Sequence, residues 1–340
     1  MDQERKRARE LGLALGPYPT GPHNAITDVT GVRVGHSTLV EGEALRTGVT
    51  AVVPDAVDMA GGWLPAGLFV GNGYGKLTGA TQVAELGQIE TPVVLTGTLS
   101  AFRAADALVT YMLALPGNDG MFSVNPVVGE TNDGYLSDIR ARPVSERHVL
   151  AALSGARGGP VAEGAVGAGT GTSALGFKAG IGTASRSLRL AADQPCTLGV
   201  LVQSNFGGRL TVRGVPIASP GGAASGANSC MIVVAIDHGL DSRQLTRVAR
   251  RAVFAMGRTG ANFAGSSGDY AIAFATVAAP PVAEGALEPV FGAVQDTVEE
   301  AILNSLFMAT TMTGYQGHVS HAVPLDLLIR ACREAGMLGS

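Results

Sequence analysis

Four short segments carry residues whose types and spacing suit acyl-transfer chemistry. In Gly226-Ala227-Asn228-Ser229-Cys230 a serine stands at the seam between a small, polar stretch and an apolar run. A serine hydroxyl is a weak nucleophile near neutral pH and needs a base beside it. If the bond before Ser229 is cut, the freed α-amine, with a pKa near ~8, sits on the same residue as the hydroxyl and can be that base. The hydroxyl can make the cut itself, attacking the Asn228 carbonyl to give an ester that water opens. Glycine and alanine ahead of the bond ease the backbone strain this requires. Read locally, the same residues also suit a turn before an ordinary strand.

Gly265-Ser266-Ser267-Gly268-Asp269 offers a hydroxyl and a carboxylate two positions apart. On an extended chain Ser267 and Asp269 face one side and can aim at one amine. Val128-Gly129-Glu130-Thr131-Asn132-Asp133-Gly134-Tyr135 ends an apolar stretch in acids and amides, and Glu130 suits a substrate ammonium. Asn132-Asp133-Gly134 suits a turn equally well. In Gln203-Ser204-Asn205-Phe206-Gly207-Gly208 the Asn205 amide is a typical oxyanion donor, and a hairpin turn is the plainer reading. Gly167-Ala168-Gly169-Thr170-Gly171-Thr172 is a poor phosphate loop, because it opens no clear helix with a lysine in place. Six histidines show no ligand spacing, and Cys196, Cys230 and Cys332 form no metal-binding pair or disulfide framework. No metal or cofactor is expected.

The elements that must position these groups follow from pattern. A short helix is predicted over 3–13, strands around Val32–Val34 and Thr50–Val53, and a helix over Leu77–Ile89. Pro92–Leu95 reads as a buried strand, Ala101–Leu115 as a helix, Phe122–Val128 as a strand and His148–Leu153 as helical. Gly158–Gly182 is so rich in small residues that strands and turns with close backbone approaches are expected. Thr197–Gln203 and Leu210–Ile217 read as two strands of a hairpin. Beyond Ser229 come a buried strand (Met231–Ile236) and a helix capped by Asp241 or Ser242, with Leu245, Val248, Ala249, Ala252, Val253 and Met256 on one face. A strand (Tyr270–Thr276) and helices around Thr297–Thr310 and Pro324–Ala335 complete a β-α-β-α-α order. A layered α/β structure with sheets inside and helices outside fits that order.

Composition narrows the function classes. Only 15% of the 340 residues are charged, the net charge is −4, and aromatics do not interleave with the few basic residues, so a nucleic-acid partner is excluded. Low charge with 48 glycines suggests extensive covered surface, hence a homo-oligomer. The longest clean apolar run, Cys230–Ile236, is too short to cross a bilayer. The charged start lacks the apolar core of a secretory signal, and a cytoplasmic setting is expected.

Together these segments resemble the DmpA family, also called the L-aminopeptidase/D-esterase and β-peptidyl aminopeptidase family. The run from Ala25 to His36 resembles the family's opening segment, and Gly71-Asn72-Gly73-Tyr74-Gly75-Lys76 and Glu90 to Thr96 resemble its next blocks. Gly129 to Tyr135 and Asn228-Ser229 complete a match that covers most of the chain in order. The resemblance implies a four-layer αββα sandwich of the DmpA/ornithine acetyltransferase type. It implies self-cleavage at Asn228-Ser229 into chains 1–228 and 229–340, a homo-oligomer (commonly a tetramer) and no metal. The implied activity is aminopeptidase or amidase, removing N-terminal residues from short peptides, amides or esters. Ser229 takes the nucleophile's place, with Ser267 and Asp269 as the serine–acid pair. Asn205 falls where the oxyanion donor stands, Glu130 where an acid holds the substrate amine, and Tyr135 where a tyrosine lies near the oxyanion. The acid is often glutamate in the family, so Asp269 is one methylene short. Competing readings are an acyltransferase of the ornithine acetyltransferase type, an endo-acting amidase of ω-amino acid oligomers, and an uncleaved binding protein.

Overall fold

Two ten-residue strands, β1 (Val32–Glu41) and β2 (Leu45–Pro54), pair antiparallel along their full length. They open the computed structural model, which describes residues 4–190, 193–219 and 229–338. β3 (Leu64–Gly73), α1 (Ala80–Leu86), β4 (Gln88–Ile89), β5 (Val93–Gly97), α2 (Ala101–Leu113), β6 (Val127–Thr131) and α3 (Glu146–Ser154) follow. The small-residue segment forms β7 (Ser173–Ala174), β8 (Phe177–Lys178) and the start of β9 (Ile181–Arg189). Then come β10 (Pro195–Asn205), β11 (Thr211–Val212), β12 (Val215–Pro216), β13 (Ser229–Ile236), α4 (Ser242–Met256), β14 (Gly268–Ala275), α5 (Glu288–Phe307), β15 (Met312–Thr313), β16 (Val319–Ser320) and α6 (Leu325–Glu334).

One sheet runs β1-β2-β5-β6 and the other β4-β3-β14-β13-β10-β9. Period-two alternation sorts their side chains into three cores. Val49, Ala51 and Val53 pack with Leu108 of α2 and Val149 of α3 outside the four-stranded sheet. Val52, Leu95, Met231, Val233 and Phe274 pack between the sheets. Ile232, Val234 and Ala273 pack under Val248 of α4 and Leu303 of α5. The result is the expected four-layer αββα sandwich. β13 is one of the two central strands of the six, with both faces covered, which is why it reads as an unbroken apolar run. Each buried Ile or Val contributes roughly 1.5–3 kcal/mol, so the register that places Ser229 is strongly fixed.

Several elements depart from pattern, each for a local reason. Residues 5–9 form a strap rather than a helix, with no regular structure up to Arg7 and only a short 3-10 turn at Arg9–Leu11. Arg5 Nε donates to Phe307 O at 2.5 Å, Ala8 N donates to Asn304 Oδ1 at 2.9 Å, and Arg9 pairs with Glu300 at 2.9 Å. Glu300 is also paired with the fully buried Arg186 at 2.6 Å. Tertiary contacts along alternate arginines outweigh helix propensity here. The strand expected at Phe122–Val128 begins only at Val127, since Pro126 has no N–H for a ladder. Leu77–Ile89 holds only α1, which Gly87 ends at φ +67°, followed by β4. Thr211–Val212 and Val215–Pro216 pair with each other across Arg213 and Gly214, both at positive φ. They do not extend β10, whose free side is taken by β13. That exchange brings Asn205 beside Ser229.

Candidate active site

Ser229 heads β13, and the ladder gives it two neighbours. Asn205 is its antiparallel partner on β10. Gly268 is its parallel partner on β14, with Asp269 opposite Cys230. Neighbouring strands lie about 4.8 Å apart, so Asn205, Ser229 and the Ser267–Asp269 segment stand side by side. A parallel pair needs a crossover, and α4 supplies it: Asp241 Oδ1 accepts the Gln244 N–H at 2.7 Å and caps its first turn. Ser229 is 4% exposed, and it projects between the sheets with Met231 and Val233.

Ser267 donates its hydroxyl proton to Asp269 Oδ1 at 2.7 Å. The Cys230 backbone N–H donates to the same carboxylate, one residue past Ser229. Burial pushes Asp269 up to about 6 despite both hydrogen bonds. Its Oδ2 has no hydrogen-bond partner among the described residues. A bulge in β3 falls opposite Asp269 and Tyr270, with Gly71 as the extra residue, while the β13–β14 register runs unbroken. Cys230 itself is buried, and burial holds its thiol well above the usual range, so it is a core residue.

The Asn205 amide is clamped in one orientation. Its Oδ1 accepts the Ser173 N–H at 3.1 Å and its Nδ2 donates to Asn132 O at 2.9 Å. Gln203, two residues earlier on the same face, donates from Nε2 to Thr131 Oγ1 and Ala168 O, each at 2.9 Å. It ties the two sheets together beneath the site.

Glu130 approaches from the end of β6 and is 2% exposed. Its Oε1 accepts the Lys76 N–H at 2.9 Å and has the Lys76 ammonium 3.7 Å away, while Oε2 has no hydrogen-bond partner among the described residues. Lys76 Nζ is tethered to Thr98 Oγ1 at 2.9 Å. Glu130 connects to Ser229 through packed glycines. A Cβ built on Gly75 would stand 3.2 Å from Glu130 Oε1, and one on Gly268 would stand 2.8 Å from Gly75 Cα. Gly268 is the ladder partner of Ser229. Backbone meets backbone here, so Gly268→Ala is expected to destabilise by about 1–3 kcal/mol. A thermal melt checks this; an unchanged midpoint would mean that the glycines tolerate separation.

Tyr135 stands apart at the rim. It is half-exposed, stacked on the His318 ring at 4.6 Å between centroids, with its hydroxyl 3.4 Å from Val319 O. Ser229, Asn205, Ser267 and Asp269 thus form one buried group, Glu130 closes it from the facing sheet, and Tyr135 flanks it. Asn228 lies outside the described residues. Sequence reasoning passed over Lys76, Gln203, Asn132 and Tyr270, whose hydroxyl accepts the Gly75 N–H at 3.1 Å. The Gly-Tyr-Gly-Lys run at 73–76 was the available signal for the first. A cleft of about 500 Å³ between Asp55, Cys196 and Asp237 lies at the far end of β13, about 25 Å from Ser229, and belongs to a different region.

The fold settles the class first: an αββα sandwich with a serine heading an inner strand has the architecture of the N-terminal-nucleophile hydrolases. A family model described as Peptidase family S58 matches residues 24–320, and the chain belongs to that family. A beta-peptidyl aminopeptidase of Sphingosinicella xenopeptidilytica is 38% identical over 95% of this chain and 90% of its own length. A solved protein of Pyrococcus horikoshii OT3 superposes with a TM-score of 0.92 at 42% identity, covering 98% of this chain and 100% of that one. The L-aminopeptidase D-Ala-esterase/amidase of Ochrobactrum anthropi gives 0.90 at 35% identity, covering 98% and 99%, and is described as a prototype serine aminopeptidase with a variant of the Ntn hydrolase fold. The chain is a serine peptidase of that fold, as the resemblance implied.

Proposed function

We propose that the chain cuts itself between Asn228 and Ser229 and then removes N-terminal residues from short peptides, amides and esters through an acyl-enzyme on Ser229. The supporting observation is the placement of Ser229 between the clamped Asn205 amide and the Ser267–Asp269 pair. In the uncut chain Asp269, acting through the Ser267 hydroxyl, draws the proton from Ser229 Oγ as it bonds to the Asn228 carbonyl carbon, the C–N bond breaks, and the proton is returned to the nitrogen. Water then opens the ester, leaving chains 1–228 and 229–340. In turnover the new α-amine accepts the hydroxyl proton as Oγ attacks the scissile carbonyl. Asn205 stabilises the oxyanion, with Tyr135 at its rim. The proton passes to the leaving amine and water releases the acyl group. Ser267 and Asp269 orient the amine.

Glu130 gives the enzyme its exopeptidase character, its Oε2, without a hydrogen-bond partner among the described residues, taking the substrate ammonium. Glu130→Gln is expected to lower kcat/KM roughly 10- to 100-fold for substrates with a free amine, with little effect on N-blocked ones. Equal losses on both would make Glu130 structural only. The beta-peptidyl relative supports N-terminal β-amino residues as part of the substrate class. Paired β-alanyl and L-alanyl anilides would measure the preference.

Denaturing intact mass on fresh protein tests the whole reading. Two chains meeting at Asn228-Ser229 support it. A stable single chain of 34.5 kDa without turnover would favour an uncleaved binding protein. Product transfer to an added amine would indicate an acyltransferase, and cleavage of blocked oligomers an endo-acting amidase. The proposed setting is cytoplasmic and the proposed assembly a homotetramer. Among the described residues no helix is long and apolar enough to cross a membrane. Exposed Trp63, Phe102 and Phe122 offer apolar surface that an assembly would cover. Light scattering on the eluting protein would read the number of copies.

A further inference from the structure

Lys178 is fully buried on β8, and its ammonium rests on three backbone carbonyls: Gly169 O at 3.2 Å, Thr172 O at 2.9 Å and Ala179 O at 2.5 Å. Three N–H donors meet three acceptors, two of them in the Gly169–Thr172 loop and the third on the residue after Lys178. Burying a cation costs several kcal/mol even when it is hydrogen-bonded. A neutral donor would tie the same loop at less cost, so the charge itself calls for a role. Burial pulls the Lys178 ammonium down to about 7, with Asp133 as the charged neighbour opposing the shift.

The loop it grips ends at Asn205. Thr172 C=O, on which Lys178 sits, and Ser173 N–H, which donates to Asn205 Oδ1, are the two ends of one peptide unit. A cation on the carbonyl end withdraws electron density and makes the N–H end a stronger donor. That stronger bond into Oδ1 in turn polarises the Asn205 amide and strengthens its Nδ2–H groups. Hydrogen bonds in such chains reinforce one another in a low-dielectric interior. Gly171 gives the loop no slack, since a Cβ there would stand 2.0 Å from Arg46 O.

We propose that Lys178 is a positioning residue that strengthens Asn205 as an oxyanion donor through the single peptide unit joining Thr172 to Ser173. The proposal rests on the reading of Asn205 given above. It gives the Gly167–Thr172 run a role: the run carries charge stabilisation from a buried lysine to the reacting carbonyl.

A double-mutant cycle on the mature enzyme tests it. Asn205→Ala is expected to lower kcat about 100- to 1,000-fold. Lys178→Met, which fills the same channel without charge, is expected to lower kcat about tenfold with KM within about twofold, because it weakens a donor without removing it. Combined, the two should cost no more than Asn205→Ala alone. Additive losses, or an unchanged kcat in Lys178→Met, would overturn the proposal while leaving the Asn205 reading intact. A full kcat in Asn205→Ala would instead defeat the Asn205 reading itself. Should Lys178→Met fail to fold, Lys178→Gln keeps a neutral donor toward the loop and leaves the Ser173 N–H in place. The same kcat loss supports the relay, and an unchanged kcat refutes it.

Discussion

Ser229→Ala is expected to give one uncut 34.5 kDa chain with at least about 10⁴-fold less turnover, because both the nucleophile and its base are lost together. The substitution deletes one oxygen from a side chain at the head of a strand whose remaining seven residues are all buried. Its partners Asn205 and Gly268 keep their backbone pairing. The fold should therefore survive, and far-UV circular dichroism with a thermal melt should match the parent. That separates this variant from Gly268→Ala, where stability should fall. The same preparation reads cleavage by mass and turnover on an anilide. A cleaved Ser229→Ala chain, or one that turns over at the parental rate, would remove Ser229 from the chemistry.

How far the site was legible before the structure depends on what holds each residue. Ser229 was visible because a run of small and polar residue types meets an apolar strand there, and burial on both faces writes an unbroken apolar run. α4 was visible from its cap and its apolar stripe. The pairing of Ser229 with Gly268 was not, because parallel partners separated by a helix leave no local trace. The Asn205–Ser229 pairing was obscured by the expectation that Leu210–Ile217 would continue the hairpin. Lys178 was illegible for another reason: its ligands are main-chain carbonyls, which any residue supplies. The arginine strap at 5–9 shows the same limit, since residues distant in sequence, Glu300, Asn304 and Phe307, decide its conformation.

Asp269→Asn is expected to slow self-cleavage by about 100- to 10,000-fold, the usual contribution of a positioned base. The carboxylate holds the Ser267 hydroxyl at 2.7 Å and accepts the backbone N–H of Cys230, the residue after Ser229. Burial raises it to about 6 from an ordinary value near 3.8. Below that pH the group is protonated and cannot accept; above it the carboxylate is available. In the parent, cleavage of freshly refolded chain should therefore rise with pH through about 6 and then level off. In Asp269→Asn that rise should vanish, leaving a slow, flat rate. Asp269→Glu, which keeps a carboxylate one methylene longer, should keep the rise. Following the two product masses from pH 4 to 8 measures all three chains. A parental profile without a rise near 6, or one unchanged in the asparagine variant, would make Asp269 a strand-end hydrogen-bond acceptor and leave the new α-amine's orientation to Ser267 alone.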